Sequence, residues 1–309
     1  MIDNTKSIAF KNICSNLTTL TNLSIERVSE LSCLPEQLLQ NNASLMDLSI
    51  SRCADLESIS PHEDVWAFCT SLRSIRLHGC EKLSYLADTL HTLQSLETLE
   101  VSRCPNLRSF PSIQGLASLQ LLQISGCGVE DLSTGLQSCT SLSYLDISSC
   151  PNLISIPDLG ECLKTLTIGG FCEELDAFPS LNPIQHLRAS LENLTLYGWD
   201  KLNSLPDEIK YFTALKSLLI SGFGGMKALP EWLGNLSSLQ TLDLYYNKNL
   251  MDMPTVQAMR RLTNLKELDI YNCPELEERC AKESGTEWSK IAHIPIIEIG
   301  GRVIKEEAF

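Results

Sequence analysis

Leu142 to Pro157 reads LSYLDISSCPNLISIP, and 46 residues earlier Leu96 to Pro111 reads LETLEVSRCPNLRSFP. The two stretches agree in their leucines, in a short alternating apolar run, in a cysteine, in a leucine three positions later and in a closing proline. Working outward from them, the pattern L-x-x-L-x-L/I/V-x-x-C/N-x-x-L begins at Leu20, Leu45, Leu72, Leu96, Leu119, Leu142, Leu163, Leu191, Leu215, Leu239 and Leu265. Successive starts lie 21 to 28 residues apart. A period of that length is the sequence mark of a solenoid, in which each unit can bury its apolar face only against the next.

The spacing dictates the local structure. Leu145-Asp146-Ile147 alternates at period two, so a short strand turns Leu145 and Ile147 inward and Asp146 outward. Neighbouring strands then pair in parallel at about 4.8 Å. Past the cysteine a leucine such as Leu107 or Leu153 returns to the core, and a proline follows at 35, 111, 157, 179, 206, 230 and 254. Proline has no N–H and a fixed φ, which suits an irregular segment outside any ladder. The expected architecture is therefore an α/β solenoid, a leucine-rich repeat horseshoe with a parallel β-sheet on its concave face and mostly irregular or 3-10 convex segments. Residues 1–19 read as a partial repeat or fragment edge, 20–273 as about eleven repeats, 274–299 as a C-terminal cap carrying Trp288, Ile291, Ile294, Ile296 and Ile297, and 300–309 as a flexible tail. The array is expected to extend upstream, or the chain to be a fragment.

Composition narrows the functional classes. Among 309 residues, 43% hydrophobic, 24 Lys+Arg stand against 38 Asp+Glu, a formal charge of −14. That balance repels phosphate backbones and argues against nucleic acid or an anionic membrane as partner. The N-terminal stretch MIDNTKSIAFKNICSNL lacks the apolar core of a signal peptide, and no apolar run approaches the roughly 18 residues of a membrane span. The expected location is cytoplasmic, with the nucleus as the alternative. Thirteen cysteines, an odd number without a secretory signal, fit reduced thiols better than a disulfide framework. The sequons at Asn16, Asn22, Asn42, Asn193 and Asn235 read as by-products of an Asn-, Leu- and Ser-rich repeat.

Most cysteines follow the repeat: Cys53, Cys80, Cys104, Cys127, Cys150, Cys273 and, with a one-residue slip, Cys172. Arriving singly every 23 residues or so, they lack the close spacing of a zinc site. Val28, Trp199, Phe223 and Asn247 occupy the same position elsewhere, which marks a packing slot. No metal or cofactor is expected. Nor is an enzyme: the five histidines, His62, His78, His91, His186 and His293, are scattered, and no H-E-x-x-H, G-x-S-x-G or phosphate-binding G-x-x-x-x-G-K-[ST] occurs.

The outward positions of the strands form two columns. The first runs Ser24, Ser49, Arg76, Glu100, Gln123, Asp146, Thr167, Thr195, Leu219, Asp243, Asp269; the second runs Glu26, Ser51, His78, Ser102, Ser125, Ser148, Gly169, Tyr197, Ser221, Tyr245, Tyr271. The last four repeats gather Tyr197, Leu219, Asp243, Tyr245, Tyr246, Asp269 and Tyr271. Tyrosines beside carboxylates suit a protein-binding patch on the concave face, the ring supplying area at low entropic cost and the acid supplying orientation. The bland alternative is that tyrosine is simply a good strand residue. Arg73, Arg76, His78 and Arg103 form a second, weaker patch, and Asp146 is a further outward position open to a partner.

Units of the form L-x-x-L-x-I-x-x-C-P-N-L-x-S-[FLI]-P, with the ending CPELEERCAKESGTEWSKIAHIPIIEI from Cys273 to Ile299, resemble the leucine-rich repeat domain of plant intracellular nucleotide-binding disease resistance proteins of the coiled-coil class. The resemblance covers roughly residues 17 to 300. It implies a recognition and autoinhibition module, in which the repeats bind a pathogen effector or guarded host protein and hold an intramolecular nucleotide-binding domain closed. That family's phosphate-binding loop, Met-His-Asp motif and coiled-coil segment are not among these residues, so the chain alone is expected neither to bind ADP or ATP nor to assemble into a signalling oligomer. The alternatives are an F-box type ubiquitin-ligase adaptor, whose repeats carry a true helix after the cysteine, and a stand-alone repeat scaffold. An extracellular receptor would show L-x-G-x-I-P units and flanking cysteine pairs.

Overall fold

The computed structural model describes residues 2–14, 17–60, 63–132 and 135–307; Asn16 and His62 lie outside them. The chain divides into two compact units, Met1–Cys162 and Leu163–Phe309. In the first, strands β1 (Ile2–Asp3), β2 (Asn22–Glu26), β3 (Asp47–Ser51), β4 (Ser74–His78), β5 (Thr98–Ser102), β6 (Leu121–Ser125) and β7 (Tyr144–Ser148) lie side by side in sequence order, all parallel. Register is strict. Ser24, Ser49, Arg76, Glu100, Gln123 and Asp146 face one another across neighbouring strands, and the apolar positions between them are fully buried. Helix α1 (Ser7–Cys14) buries Phe10 and Cys14, and α2 (Glu36–Gln40) starts at Pro35.

In the second unit β8 (Thr165–Gly169), β9 (Asn193–Tyr197), β10 (Ser217–Ser221), β11 (Thr241–Tyr245), β12 (Glu267–Tyr271) and β13 (Ile296–Ile299) are parallel neighbours in order. The segment read as a flexible tail instead holds β14 (Arg302–Glu306), which turns back antiparallel on β13. Consecutive Gly300 and Gly301, at φ 57° and 74°, supply the left-handed turn that reversal needs. Between strands, α3 (Val256–Arg261), α4 (Pro274–Arg279) and α5 (Trp288–Ile291) are single turns or little more. The other flank segments of both units are turns and short 3-10 helices, as the short proline-bearing connections require. Pro206 and Pro230 do more than avoid the ladder: each precedes a 3-10 turn, Asp207–Tyr211 and Glu231–Asn235, at φ −59° and −72°.

One backbone device recurs that the sequence reading missed. The residue after the strand is left-handed at Arg27, Arg52, Gly79, Arg103, Gly126 and Ser149, and again at Gly222, Tyr246, Asn272 and Gly300, with φ between 50° and 77°. At Arg27, Arg52, Gly79, Arg103, Gly126, Gly222 and Tyr246 its N–H still donates to the last carbonyl of the next strand, as Arg52 does to His78 O at 2.7 Å and Arg103 to Ser125 O at 2.8 Å. Ladder and turn thus share one residue, at a steric cost of roughly 1 kcal/mol wherever it is not glycine.

The cysteine slot follows directly. Buried Cys127, Cys150 and Cys273 each donate the thiol to a carbonyl of the preceding repeat, to Val101 O at 3.5 Å, Ile124 O at 3.4 Å and Leu244 O at 3.3 Å, while Asn247 N–H donates to Cys273 Sγ. Asn247, in the same slot, makes the corresponding pair more strongly: Nδ2 donates to Ile220 O at 3.0 Å and Oδ1 accepts from Phe223 N–H at 2.9 Å. At Cys172 the one-residue slip is resolved: Phe171 fills the slot, and Cys172 is only half-buried. Phe171, Trp199 and Phe223 fill successive slots, and the Phe178 ring lies 5.8 to 6.1 Å from all three. A side chain at Gly198 would begin 2.7 Å from the Phe223 ring, so the glycine before Trp199 is what admits the larger slot residue next door.

Burial pushes the Cys53, Cys150 and Cys273 thiols up to about 11, leaving them protonated and unreactive at neutral pH. A short iodoacetamide pulse on the native chain should therefore modify exposed Cys162 and spare Cys53, Cys127 and Cys150 until denaturant is added. Peptide mass mapping reads this out, and early labelling of Cys150 would contradict the slot assignment.

Candidate functional site

The strand register assembles the tyrosine and carboxylate group within residues 163–309. Leu219, Asp243, Asp269 and Glu298 form one row across β10 to β13, and Tyr197, Ser221, Tyr245 and Tyr271 form the next row across β9 to β12. Period-two alternation puts both rows on the face opposite the buried leucines. Tyr245 Oη donates to Asp269 Oδ2 at 2.7 Å. The Tyr245 and Tyr246 rings meet Tyr271 edge-on, at 6.2 and 5.9 Å between centroids. Tyr246, which occupies the left-handed turn, is 57% exposed and Tyr271 40%; Leu219 is half-buried.

Electrostatically the row is unbalanced. Asp243, Asp269 and Glu298 stand on adjacent strands, and no cation among the described residues pairs with any of them. Asp269 Oδ1 is shielded from solvent with no hydrogen-bond partner. Burial first, then the charges of Asp269 and Glu267, pushes the Asp243 carboxyl up to about 6. Burial and the bond to Asp269 likewise push the Tyr245 phenol up. Glu298 and Glu267 were missed by the sequence reading. Glu298 had a signal: IIEI in β13 repeats the alternation of ELDI in β12 and extends the column by one strand.

At the upper end of this face Gly169 closes the tyrosine column. Its φ is +122°, and a Cβ there would lie 1.9 Å from Tyr197 O. No other residue fits that approach.

The basic patch of the first unit divides. Arg73 is bound to Glu97 at 3.0 Å, and Arg76 to Glu100 at 3.4 Å with Asp47 at 4.0 Å. Both are exposed pairs and so electrostatically spent rather than stabilising. His78 Nδ1 lies 2.8 Å from Ser102 Oγ, and Arg103 is exposed with no ion-pair partner among the described residues. Asp146 is not open to a partner: it is only 7% exposed, with Oδ2 accepting from Gln123 Nε2 at 3.0 Å. Asn42, one of the sequons, is also buried, and its side chain bonds Leu17 O, Leu38 O and Leu20 N–H.

Comparison with known proteins bears on the repeat architecture. A family model described as R13L1/DRL21 LRRs matches residues 203–273. Among solved structures, a Listeria monocytogenes internalin superposes with a TM-score of 0.56 at 24% identity, covering 83% of this chain and 69% of that one. The chain is a leucine-rich repeat solenoid. Several curated relatives are named as disease resistance proteins. The chain is 29% identical to disease resistance protein RPS4B of Arabidopsis thaliana over 67% of its length, and 26% identical to disease resistance-like protein DSC1 of the same plant, also over 67%. The leucine-rich repeats are thus similar to those of plant disease resistance proteins. The chain spans 16% and 15% of the two relatives, so most of each relative has no counterpart in it. Among the described residues, no helix of the solenoid is long and apolar enough to cross a membrane.

Proposed function

We propose that this leucine-rich repeat domain is the protein-recognition module of a plant immune receptor, binding a pathogen effector or guarded host protein through the tyrosine and acid rows of residues 163–309. In a full-length receptor the same repeats hold the nucleotide-binding switch closed. The observation that carries the reading is the row Asp243, Asp269, Glu298, paired with no cation among the described residues and set against Tyr245 and Tyr271. A strand face selected for stability alone would alternate charge, as Arg76 and Glu100 do in the first unit. Like charges kept side by side cost stability, which is a common property of sites shaped for a partner. The F-box alternative is disfavoured by the turns, in place of helices, that follow Cys53, Cys80, Cys104 and Cys150.

Asp243→Asn separates a binding site from a merely tolerated surface. The folded chain holds the Asp243 proton more tightly than the unfolded chain does, so stability falls as pH rises from about 4 to about 6 and stays reduced above that. Variant and parent should melt together at about pH 3, and by about pH 7.5 the variant should be more stable by of the order of 1 kcal/mol. The same change, and Tyr271→Ala, should weaken capture of the partner by a photo-crosslinker carried at position 246 in plant tissue expressing the chain. Unaltered capture by both variants would sink the recognition reading.

A further inference from the structure

In the first unit, outside the tyrosine face, Arg52, Ala54, His78, Gly79, Glu81, Arg103, Pro105, Asn106 and Gly126 surround an open cleft of about 630 Å³. Arg52 and Arg103 occupy the same left-handed turn position two repeats apart, so their strands are separated by about 10 Å, twice the inter-strand spacing. The position between them is Gly79, which brings no side chain of its own, and the Arg52 Cγ lies 3.7 Å from where its Cβ would stand. The neighbouring basic residues are committed: Arg27 holds Glu26 at 2.8 Å, Arg73 holds Glu97 and Arg76 holds Glu100. Arg52 Nη1 donates to Glu26 Oε1 at 3.4 Å, a carboxylate it shares with Arg27, and Arg103 has no acid among the described residues. Glu81 is the single acid on the rim.

Arg103, with no acid of its own, and Arg52, which shares its acid with Arg27, line one cleft and match an incoming carboxylate, each fork offering parallel N–H donors. Arginine is also a costly occupant of that turn, where Gly79 and Gly126 serve in the adjacent repeats. On a chain of charge −14 two arginines against one lining acid, Glu81, make this concavity a local reversal of sign. We propose that the Arg52–Gly79–Arg103 cleft is a second protein-docking site, which takes an acidic side chain, Asp or Glu, from an extended segment of a partner protein. It is independent of the tyrosine face, so either site can fail without the other.

The test uses Arg52→Gly and Arg103→Gly in the full chain. Glycine already fills this turn at positions 79 and 126, so both variants should melt at or above the parent temperature. The probe is a fluorescein-labelled dodecapeptide of alternating Glu and Gly, with Gln in place of Glu as control, followed by anisotropy at low salt. The acidic peptide should bind the parent and the Gln peptide should not, and each glycine variant should weaken binding at least about tenfold. Arg73→Gly removes the same charge outside the cleft and should change the affinity less than about twofold. Equal losses at Arg73 and Arg103, unchanged binding in the Arg52 and Arg103 variants, displacement of the peptide by inorganic phosphate at equal concentration, or no binding to the parent would each overturn the proposal.

Discussion

Glu287→Ala should lower the unfolding free energy by about 3 kcal/mol, which makes it one of the two most damaging single changes expected in the chain. Glu287 is 4% exposed. Its Oε2 accepts from Met253 N–H at 2.8 Å and from Lys290 Nζ at 2.6 Å, and Oε1 lies 3.7 Å from Arg279 Nη2. Lys290 in turn donates to Met253 O at 3.0 Å. The carboxylate therefore ties α4 and α5 of the terminal segment to the flank segment after β11. Alanine leaves a half-buried ammonium and a buried N–H without their shared anion, while Arg279 keeps Asp252 at 2.8 Å, and the desolvation of the first two groups is no longer offset. Glu287→Gln keeps an acceptor for Met253 N–H and should recover part of the loss. Urea midpoints followed by circular dichroism measure both, and an alanine variant with an unchanged midpoint would show that the network contributes nothing.

Asn247→Ala should cost a similar amount, about 3 kcal/mol, for a different reason. Asn247 has no solvent exposure, and its amide satisfies the buried Ile220 carbonyl and Phe223 N–H at once. Truncation orphans both and leaves a small void. Asn247→Cys should restore most of the stability, because a thiol in this slot already reaches the preceding repeat at Cys127, Cys150 and Cys273. Asn247→Val fills space without bonding and should rescue less. If valine and cysteine perform equally, the slot is a matter of volume and the bridging bonds are incidental.

Much of this architecture was legible because two periods reinforce each other. Within a strand, alternation assigns each residue a face; between strands, the repeat assigns it a neighbour. The columns from Ser24 to Asp146 and from Thr167 to Asp269 follow from those two facts and match the register residue for residue. The pairing of Arg76 with Glu100 was equally available, since both stand in one column one repeat apart, yet the patch was read from charge alone. What the periods cannot supply is anything set by depth or by a unique contact. Asp146 and Asp243 occupy equivalent outward positions, but only Asp146 is closed off from solvent. Glu287 lies where the repeat has ended, so no neighbour could be assigned to it. The left-handed turn was hidden for another reason: arginine, glycine, serine, tyrosine and asparagine all fill it, and no residue type marks it.

The slot bonds carry a consequence for how such a chain can change length. The Cys127, Cys150 and Cys273 thiols and the Asn247 amide each donate to the repeat immediately before their own, and the receiving group is a backbone carbonyl, which every repeat possesses whatever its side chains. Loss or duplication of one whole repeat would leave each of these slot donors with a backbone carbonyl to reach and each interior strand with two partners. Unequal exchange between repeats at the level of the gene would then yield folded products of new length and new surface, whereas a cut at any other point would break the ladder.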